Sequence, residues 1–312
     1  MNTHRLHKLV SLMALAGLVV GCTVSIPQPQ PVAVPASEPR VVTDSRGQEV
    51  AVPAEVKRII SLAPSNTEIL FALGLGDKVV GVTNFCDYPE EAKAVEKVGD
   101  AFNMNVEKIV SLSPDLVVAI GGMTEVMAKL EELGIAVLVL QPTDLESIYQ
   151  TIELVGQAAG AQDAAQALVA AMRERVEAIT AKVAGLEERP KVFYELDATD
   201  PAKPYTPGPG TWHDQFIRLA GGVNIAGEVE MPWVQFSTEE IIVQDPAIIV
   251  LGDANYGVSA ADVAQRAGWE VIAAVRNGAV YPIDDNLISR PGPRVVEGIE
   301  ALAQIIHPEL LE

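Results

Sequence analysis

Two glutamates, Glu107 and Glu239, occupy matching places in two segments that share one order of residue types. Residues 105–121 and 237–253 each pass from a polar residue through a glutamate and an apolar pair to a proline and a β-branched run. In both segments the glutamate lies seven residues before the proline. Such paired carboxylates could bind a partner with paired basic side chains, whereas an acid in a helix's first turn could equally serve only to stabilise that helix.

Aromatic side chains form the second group with binding potential. They make up only 5% of the chain, yet many fall in loops between predicted strands and helices. Loops after the carboxyl ends of parallel strands are where open α/β sheets bind ligands, although core packing explains any single aromatic equally well. Trp269 and Phe216 lie in or beside helical patterns and are expected in the core. The loop aromatics are Phe85, Tyr88, Phe102, Tyr205, Trp212, Trp233, Phe236 and Tyr256.

Residues for other chemistry are scarce. Four histidines and two cysteines in 312 residues argue against a zinc finger or a disulfide framework, and a net charge of −20 argues against nucleic acid. GPGT at 208–211 lacks a third glycine, and no phosphate loop, H-E-x-x-H or G-x-S-x-G motif occurs. His213 could ligate a metal chelate, but a solvated histidine at a helix start is the commoner case. We expect no metal site, no cofactor and no catalytic residue, and keep an enzyme or chelatase-like protein as the alternative of another class.

The N-terminus has the pattern of an export signal. A basic start precedes an apolar run at residues 9–20, which is short for a bilayer span, and the run ends at Cys22. Residues 19–22 also resemble the lipobox of bacterial lipoproteins, in which the cysteine is lipidated, while an uncleaved anchor helix is the alternative. We therefore predict a signal peptide at 1–21, a lipidated Cys22, a Pro-rich tether over 22–55 that leads into the domain, and a membrane-anchored location outside the cytoplasm.

From residue 56 onward, short β-branched runs alternate with helical patterns, which is typical of parallel βαβ construction. Residues 162–186 differ, because they contain no proline and repeat apolar residues at three- and four-residue steps over a length that could join two lobes. The predicted fold class is α/β, with two α/β lobes of parallel sheet at 56–160 and 189–312. One long α-helix, within residues 161–188, is expected to join them.

The predicted elements follow from these patterns. Strands are predicted at 58–62, 78–82, 115–121, 136–141, 191–196, 247–252 and 279–283. Helices are predicted at 67–76, 124–134, 144–158, 162–186, 211–220, 259–266 and 291–306. Ser65 to Thr67 should cap the first helix, and Thr143 with Glu146 should form a capping box on the third.

The chain resembles the substrate-binding proteins of importers for vitamin B12, iron siderophores and haem, a periplasmic-binding-protein class with a single long helix between two lobes. The resemblance covers roughly residues 56–308. It is carried by RIISLAPSNTEILFALGLGDKVVGVTNFCDYP (58–89), GDAFNMNVEKIVSLSPDLVVA (99–119), PWVQFSTEEIIVQDPAIIVLG (232–252) and RPGPRVVEGIEALAQIIHPE (290–309). The vitamin B12-binding members are most similar, through SLAPSNTE, NFCDYP, MNVEKIV and PWVQFS. The resemblance implies a monomer that docks on an ABC permease with its cytoplasmic ATPase, with Glu107 and Glu239 contacting permease arginines.

The same resemblance implies a corrinoid ligand held between the lobes. A corrinoid is large, flat and amphipathic, so its site needs aromatic walls and a few hydrogen-bonding groups. Ala101 and Ile120 occupy positions that resemble tryptophan sites in the B12-binding proteins. Ser289 occupies a position that resembles an acidic site in those proteins. An iron-siderophore or haem receptor is therefore the alternative, with Arg290 and Arg294 available to an anionic chelate. The predicted ligand contacts are Ser65, Asn66, Phe85, Tyr88, Phe102, Tyr205, Trp212, Trp233, Asn286 and Arg290.

Overall fold

The described part of the chain, residues 38–311 of a computed structural model, begins with an antiparallel hairpin. Strands β1 (Arg40–Thr43) and β2 (Glu49–Val52) alternate exposed and buried side chains, and Val42, Val50 and Val52 join the main core. The tether predicted through residue 55 is therefore a folded hairpin from β1 onward, because this alternation gives the hairpin one apolar face to bury.

The predicted signal peptide at 1–21 and the predicted lipidation site at Cys22 lie outside the described residues. Among residues 38–311, no helix combines the length and the apolar character that crossing a membrane requires.

The N-terminal lobe is built on four parallel strands that are almost fully buried. They are β3 (Ile59–Ser61), β4 (Val79–Val82), β5 (Leu116–Ile120) and β6 (Val137–Leu140), in the sheet order β4-β3-β5-β6. The helices of this lobe are α1 (Pro64–Ala72), α2 (Val106–Ser111), α3 (Thr124–Glu132) and α4 (Leu145–Ala159). Because helices cover both faces of a parallel sheet, its strands appear in the sequence as continuous apolar runs.

A single helix, α5 (Gln162–Ala184), follows this lobe and spans 23 residues. Its buried side chains recur at three- and four-residue steps, as the sequence pattern predicted. It packs on α4 and on the helix that ends the fold, α11 (Val295–Ile306). The long α5 therefore connects the two lobes through packed contacts along its length.

The C-terminal lobe repeats the parallel design. Strands β7 (Lys191–Glu195), β9 (Val223–Asn224), β11 (Ile248–Leu251) and β12 (Val280–Pro282) have the order β12-β11-β7-β9, and a separate antiparallel pair is formed by β8 (Tyr205–Pro207) and β10 (Trp233–Gln235). The remaining helices are α6 (Trp212–Leu219), α7 (Thr238–Gln244), α8 (Ala260–Ala264), α9 (Ala273–Arg276) and α10 (Asn286–Ser289). The predicted fold class, two α/β lobes joined by one long helix, is confirmed.

The predicted cap of α1 is wrong by several residues. Ser65 and Thr67 lie inside the helix, whose N-cap is Ala63 and whose first residue is Pro64. Proline suits the first helical position because its fixed φ is already helical and its missing N–H would have no partner there. The polar residues that look like a cap are therefore buried helix residues.

The predicted capping box of α4 is displaced by one residue. Asp144 is the N-cap, and its Oδ1 accepts a hydrogen bond from the N–H of Ser147 at 2.8 Å. The Ser147 hydroxyl accepts one from the N–H of Asp144 at 2.9 Å in return. Thr143 and Glu146 do not form the box, because aspartate competes well with threonine for this position.

Candidate ligand-binding site

Two rings at the start of α6 pack with one ring of β10, and we call Trp212, His213 and Trp233 the aromatic wall. The His213 ring stacks on Trp212 with ring centroids 5.4 Å apart, and it meets Trp233 edge-on at 5.4 Å. The Trp212 Nε1–H donates to the carbonyl of Ile288 at 2.9 Å. Thr211 caps α6 through its side chain, which sets where the helix begins. The wall is thus fixed by packing and hydrogen bonds rather than by a loop alone.

His213 is the buried member of the wall, with 2% of its surface exposed. Its Nε2 lies 3.0 Å from the hydroxyl of Ser289, and its Nδ1 has no hydrogen-bond partner among residues 38–311. Burial lowers the pKa of His213 from 6.5 to about 3, so the ring is neutral near pH 7. The expectation of a solvated histidine is therefore wrong, because the ring is buried and its Nε2 contacts Ser289.

A chain of polar groups lies behind the aromatic wall. The Tyr194 hydroxyl donates to Asp285 Oδ1 at 2.6 Å, the Ser289 N–H donates to the carbonyl of Asp285 at 2.7 Å, and the Ser289 hydroxyl lies 3.0 Å from His213 Nε2. Burial and the charge of Asp285 raise the pKa of Tyr194 well above 10. Nucleophilic catalysis would need the histidine between the acid and the serine, whereas here the serine lies between the other two. The arrangement orients a ring, and within residues 38–311 no three acidic, histidine or cysteine side chains are grouped to hold a metal ion.

Tyr205 and Trp233 are presented by the short β8–β10 ribbon. Trp233 pairs with Pro207 and Gln235 pairs with Tyr205 in the antiparallel register. Both aromatic side chains remain exposed, which leaves them free to contact a ligand. This ribbon therefore supplies one member of the aromatic wall, Trp233, and a second exposed aromatic side chain, Tyr205.

Two phenylalanines of the N-terminal lobe stand on neighbouring loops, which we call the phenylalanine loops. Phe85 follows β4 and is 60% exposed, and Phe102 precedes α2 and is 89% exposed. Asn84 Nδ2 donates to Asp100 Oδ2 at 3.1 Å, which joins the loops. Asp100 Oδ1 accepts hydrogen bonds from the N–H groups of Phe102 and Asn103, each at 3.0 Å. The backbone of these loops is hydrogen-bonded while both rings remain uncovered.

Four charged residues connect the lobes, and we call Glu68, Asp87, Arg290 and Arg294 the interlobe clasp. Arg290 Nη1 lies 3.1 Å from Glu68 Oε1 and 2.6 Å from Asp87 Oδ1. Arg294 binds both oxygens of Glu68, at 2.9 and 2.6 Å, and its guanidinium lies 4.0 Å above the Tyr88 ring. The charge of Arg290 is therefore directed at two carboxylates, and Tyr88 packs on the clasp instead of joining the aromatic wall.

The clasp residues lie close in sequence to aromatic groups of both lobes. Asp87 lies two residues after Phe85, and its partner Arg290 lies two residues after Ile288, which anchors Trp212. The phenylalanine loops and the aromatic wall are consequently tied to the same ionic cluster.

Three further predicted ligand contacts are engaged within the protein. Asn66 is 1% exposed, and its Nδ2 donates to the carbonyl of Val118 at 3.1 Å, which ties α1 to β5. Ser65 is also buried. Asn286 donates from its N–H and Nδ2 to Asp284 Oδ1, at 3.1 and 2.9 Å, and remains partly exposed. Ser65 and Asn66 lie in the interior, where polar groups need hydrogen-bond partners within the protein. Their polarity therefore serves the fold, as the bond from Asn66 to Val118 shows.

Sequence reasoning missed the acids of the clasp. Glu68 belongs to the apolar helical run TEILFA, where a charged side chain has no solvent-facing stripe. Such an acid needs a cation, because buried charges are paired in native structures. Arg290 and Arg294 are its partners, but they lie more than 200 residues away, so no local pattern identifies them among the 22 basic residues.

Glu107 and Glu239 occupy the first turns of α2 and α7, and both are exposed. Neither forms a hydrogen bond or an ion pair with the part of the chain that the structure describes. The match between the two segments extends to the backbone, because Ser113 and Asp245, which each precede the proline, have positive φ values of 47° and 46°. The lobes therefore present these two carboxylates on equivalent local structures.

Comparisons with known proteins agree with this architecture. The sequence model of the periplasmic binding protein family matches residues 59–287. The uncharacterized ABC transporter substrate-binding lipoprotein YvrC of Bacillus subtilis is 39% identical over 308 residues, which cover 96% of each chain. The periplasmic vitamin B12 binding protein BtuF of Vibrio cholerae superimposes with a TM-score of 0.69 at 30% identity, over 82% of this chain and 98% of that one. The periplasmic haem-binding protein RhuT of Roseiflexus sp. RS-1 superimposes with a TM-score of 0.73 at 27% identity, over 81% of this chain and 99% of that one.

Proposed function

The chain belongs to the periplasmic binding protein family, as the substrate-binding component of an ABC importer, and we propose that its ligand is a corrinoid bound between the two lobes. The observation that carries this proposal is the aromatic wall, a preassembled apolar surface with a neutral histidine at its centre. A corrin ring is flat and amphipathic, so stacked and edge-on rings fit its faces while polar groups at the rim meet its side chains.

The charge state of the cleft favours this ligand over a haem or an anionic siderophore. Arg290 and Arg294, which an anionic chelate would need, are paired with Glu68 and Asp87. The Nε2 of His213 contacts Ser289 and its Nδ1 is buried, so neither ring nitrogen is open to an iron centre. Recruiting any of these groups would break hydrogen bonds already made, at a cost of about 1–3 kcal/mol for each buried group left without a partner.

The titration that tests the ligand uses the purified full-length chain in detergent and follows the ultraviolet-visible spectrum. Cyanocobalamin should give saturable binding, with haem and ferric siderophores binding more weakly or not at all. Saturable haem binding without cobalamin binding would replace the corrinoid with the haem alternative. Weak binding of all three would contradict a chelate receptor altogether.

We further propose that Glu107 and Glu239 dock the protein on its permease. Both carboxylates are exposed and unpaired within residues 38–311, and each stands at the same place in its lobe. Basic permease side chains would supply the complementary charge. Replacing both glutamates with alanine should abolish uptake while leaving ligand affinity unchanged. Glu125→Ala, which removes an exposed acid from the first turn of α3, is the matched control and should leave uptake intact.

Anchoring through a lipidated Cys22 completes the proposal. The lipobox-like residues 19–22 support it, and a tether would hold the receptor close to its permease. The unaltered chain should incorporate labelled fatty acid and the Cys22→Ser variant should not, whereas no incorporation into the unaltered chain would favour an uncleaved anchor helix.

A further inference from the structure

Two segments hold Glu107 and Glu239 in matching positions, and we call them the docking segments: residues 105–115 and 237–247. In both, the side chain of the N-cap residue accepts a hydrogen bond from the backbone N–H three residues later, at 2.9 Å in α2 and 3.2 Å in α7. In both, the glutamate is the second residue of its helix. The two carboxylates therefore leave their helices at the same point.

The far ends of the docking segments are closed by the same contacts. Arg58, which directly precedes β3, donates from Nε to the carbonyl of Leu112 at 2.7 Å. Lys191, the first residue of β7, donates from Nζ to the carbonyl of Gln244 at 2.9 Å. The backbone N–H that follows each proline donates to the carbonyl of the same basic residue, at 2.8 Å for Arg58 and 2.9 Å for Lys191. Because the frameworks match, the lobes differ here only in the side chains that they present.

The first of these differences is the charge of the residue after each glutamate. Lys108 follows Glu107, and its Nζ forms an ion pair with Glu96 at 2.9 Å. Glu240 follows Glu239, and α7 contains no basic residue. The first turn of α7 therefore carries two negative charges, whereas the first turn of α2 carries one charge of each sign. A basic partner is attracted more strongly to α7.

The second difference is the polarity of the residue four positions after each glutamate, which lies on the same face of the helix as the glutamate. This residue is Ser111 in α2, and its hydroxyl donates to a carbonyl of its own helix at 2.8 Å. In α7 it is Val243, which is 81% exposed. A valine at an exposed helix position buries no apolar surface and loses rotamer freedom, so the fold gains nothing from it. A partner that covers Val243 would gain its apolar surface.

We propose that the receptor docks on its permease asymmetrically, with α7 as the primary contact and α2 as the secondary one. This inference rests on the proposed docking role of Glu107 and Glu239, and it specifies the permease chemistry that each lobe meets. Helix α7 contacts a basic group and an apolar patch beside it, through Glu239 and Val243. Helix α2 contacts a basic group alone, through Glu107.

Single substitutions in the full-length chain test the asymmetry. Binding to the importer's own permease–ATPase complex, purified in nanodiscs, is followed by biolayer interferometry without added ligand, so the result does not depend on the corrinoid proposal. Glu239→Ala should weaken binding at least about tenfold more than Glu107→Ala does. Equal losses, or a larger loss for Glu107→Ala, would overturn the inference and leave the docking proposal standing. Unchanged binding by both variants would overturn the docking proposal as well.

The Val243→Ser variant gives α7 the residue that α2 has at the matching position. Loss of a covered valine should weaken binding about fivefold, mainly through faster dissociation. Val41→Ser is the matched control, because it removes an exposed valine that belongs to neither docking segment, and it should leave binding unchanged. Unchanged binding by Val243→Ser would contradict the apolar contact.

Salt separates the charged contribution from the apolar one. Raising the salt concentration from about 0.05 M to about 0.5 M screens exposed charges and should weaken docking of the unaltered chain. Val243→Ser should lose affinity by the same factor, because it keeps every charge. Glu239→Ala should lose less, since the main ion pair is already absent. A Glu239→Ala variant with the full salt dependence of the unaltered chain would contradict the primary role of α7.

Discussion

The two sides of the proposed cleft are built by different physical means. The aromatic wall of the C-terminal lobe is held by ring packing on buried His213 and by hydrogen bonds to Ile288 and Ser289. The phenylalanine loops of the N-terminal lobe fix their backbone through Asp100 but leave Phe85 and Phe102 uncovered. One side is therefore organised before the ligand arrives, while the other must lose side-chain entropy on binding.

This difference predicts how binding energy is distributed. Preorganised aromatic side chains contribute most to affinity because their ordering cost has already been met during folding. Exposed phenylalanines stabilise the complex when the ligand buries their apolar surface, but the entropy cost of fixing their rotamers reduces this gain. The C-terminal lobe should therefore set affinity, and the N-terminal lobe should mainly exclude water from the bound ligand.

The largest expected effect comes from breaking the interlobe clasp that joins these two sides. Glu68 is buried and pairs with both arginines, so Glu68→Gln leaves two partly buried cations without their shared carboxylate. We expect a loss of about 3–5 kcal/mol in the free energy of unfolding, measured by urea denaturation. Glu300→Gln, which breaks the more exposed pair with Arg175, should cost less than about 1 kcal/mol. A similar loss in both variants would contradict the role of the clasp.

Truncating one aromatic residue on each side tests the comparison directly. Trp233→Ala removes a member of the aromatic wall and should weaken corrinoid binding by about 30-fold or more, the scale of a binding hot spot. Phe102→Ala removes a ring that is 89% exposed and should weaken binding by only about threefold. Isothermal titration calorimetry measures both. If Phe102→Ala costs as much as Trp233→Ala, the N-terminal side is also preorganised.

The buried histidine makes the aromatic wall sensitive to acid. The pKa of His213 is about 3 in the folded chain and near 6.5 when unfolded, so the unfolded chain binds the extra proton between these values. Stability from this group is complete above pH 6.5 and is lost as the pH falls, by on the order of 2 kcal/mol at pH 5.

His213→Phe should remove this part of the pH dependence. Urea denaturation at pH 7.5 and pH 5.0 would show a smaller loss of unfolding free energy in the variant than in the unaltered chain. Equal losses would mean that the His213 ring is already solvated or charged in the folded state.

The sequence predicts the strands and long helices well and the cleft chemistry less well, for identifiable reasons. Runs such as residues 136–141 and 162–186 have one dominant periodicity, so local pattern and final structure agree. The short ribbon of β8 and β10 carries little pattern, because its pairing is set by tertiary contacts over more than twenty residues.

The predicted ligand contacts divide in the same way, into those that a local pattern locates and those that depend on distant partners. Phe85 and Trp233 lie on surfaces that the loop argument could locate. Asn66 and Arg290 proved to be committed to Val118 and to the clasp, which no local pattern reports. The partners that decide whether a polar side chain is free lie far away in sequence, as the 222 residues between Glu68 and Arg290 illustrate.

The smallest predicted effect addresses the backbone of the phenylalanine loops. Asp100→Ala removes the acceptor for two loop N–H groups and for Asn84, and this should loosen the segment that carries Phe102. Because the rings are already exposed, we expect corrinoid affinity to fall by less than about threefold. Hydrogen exchange of residues 99–105 should nevertheless increase, since local protection depends on these bonds. A large loss of affinity would show that the N-terminal lobe positions its rings in advance, and the contrast between the two sides of the cleft would then rest on exposure alone.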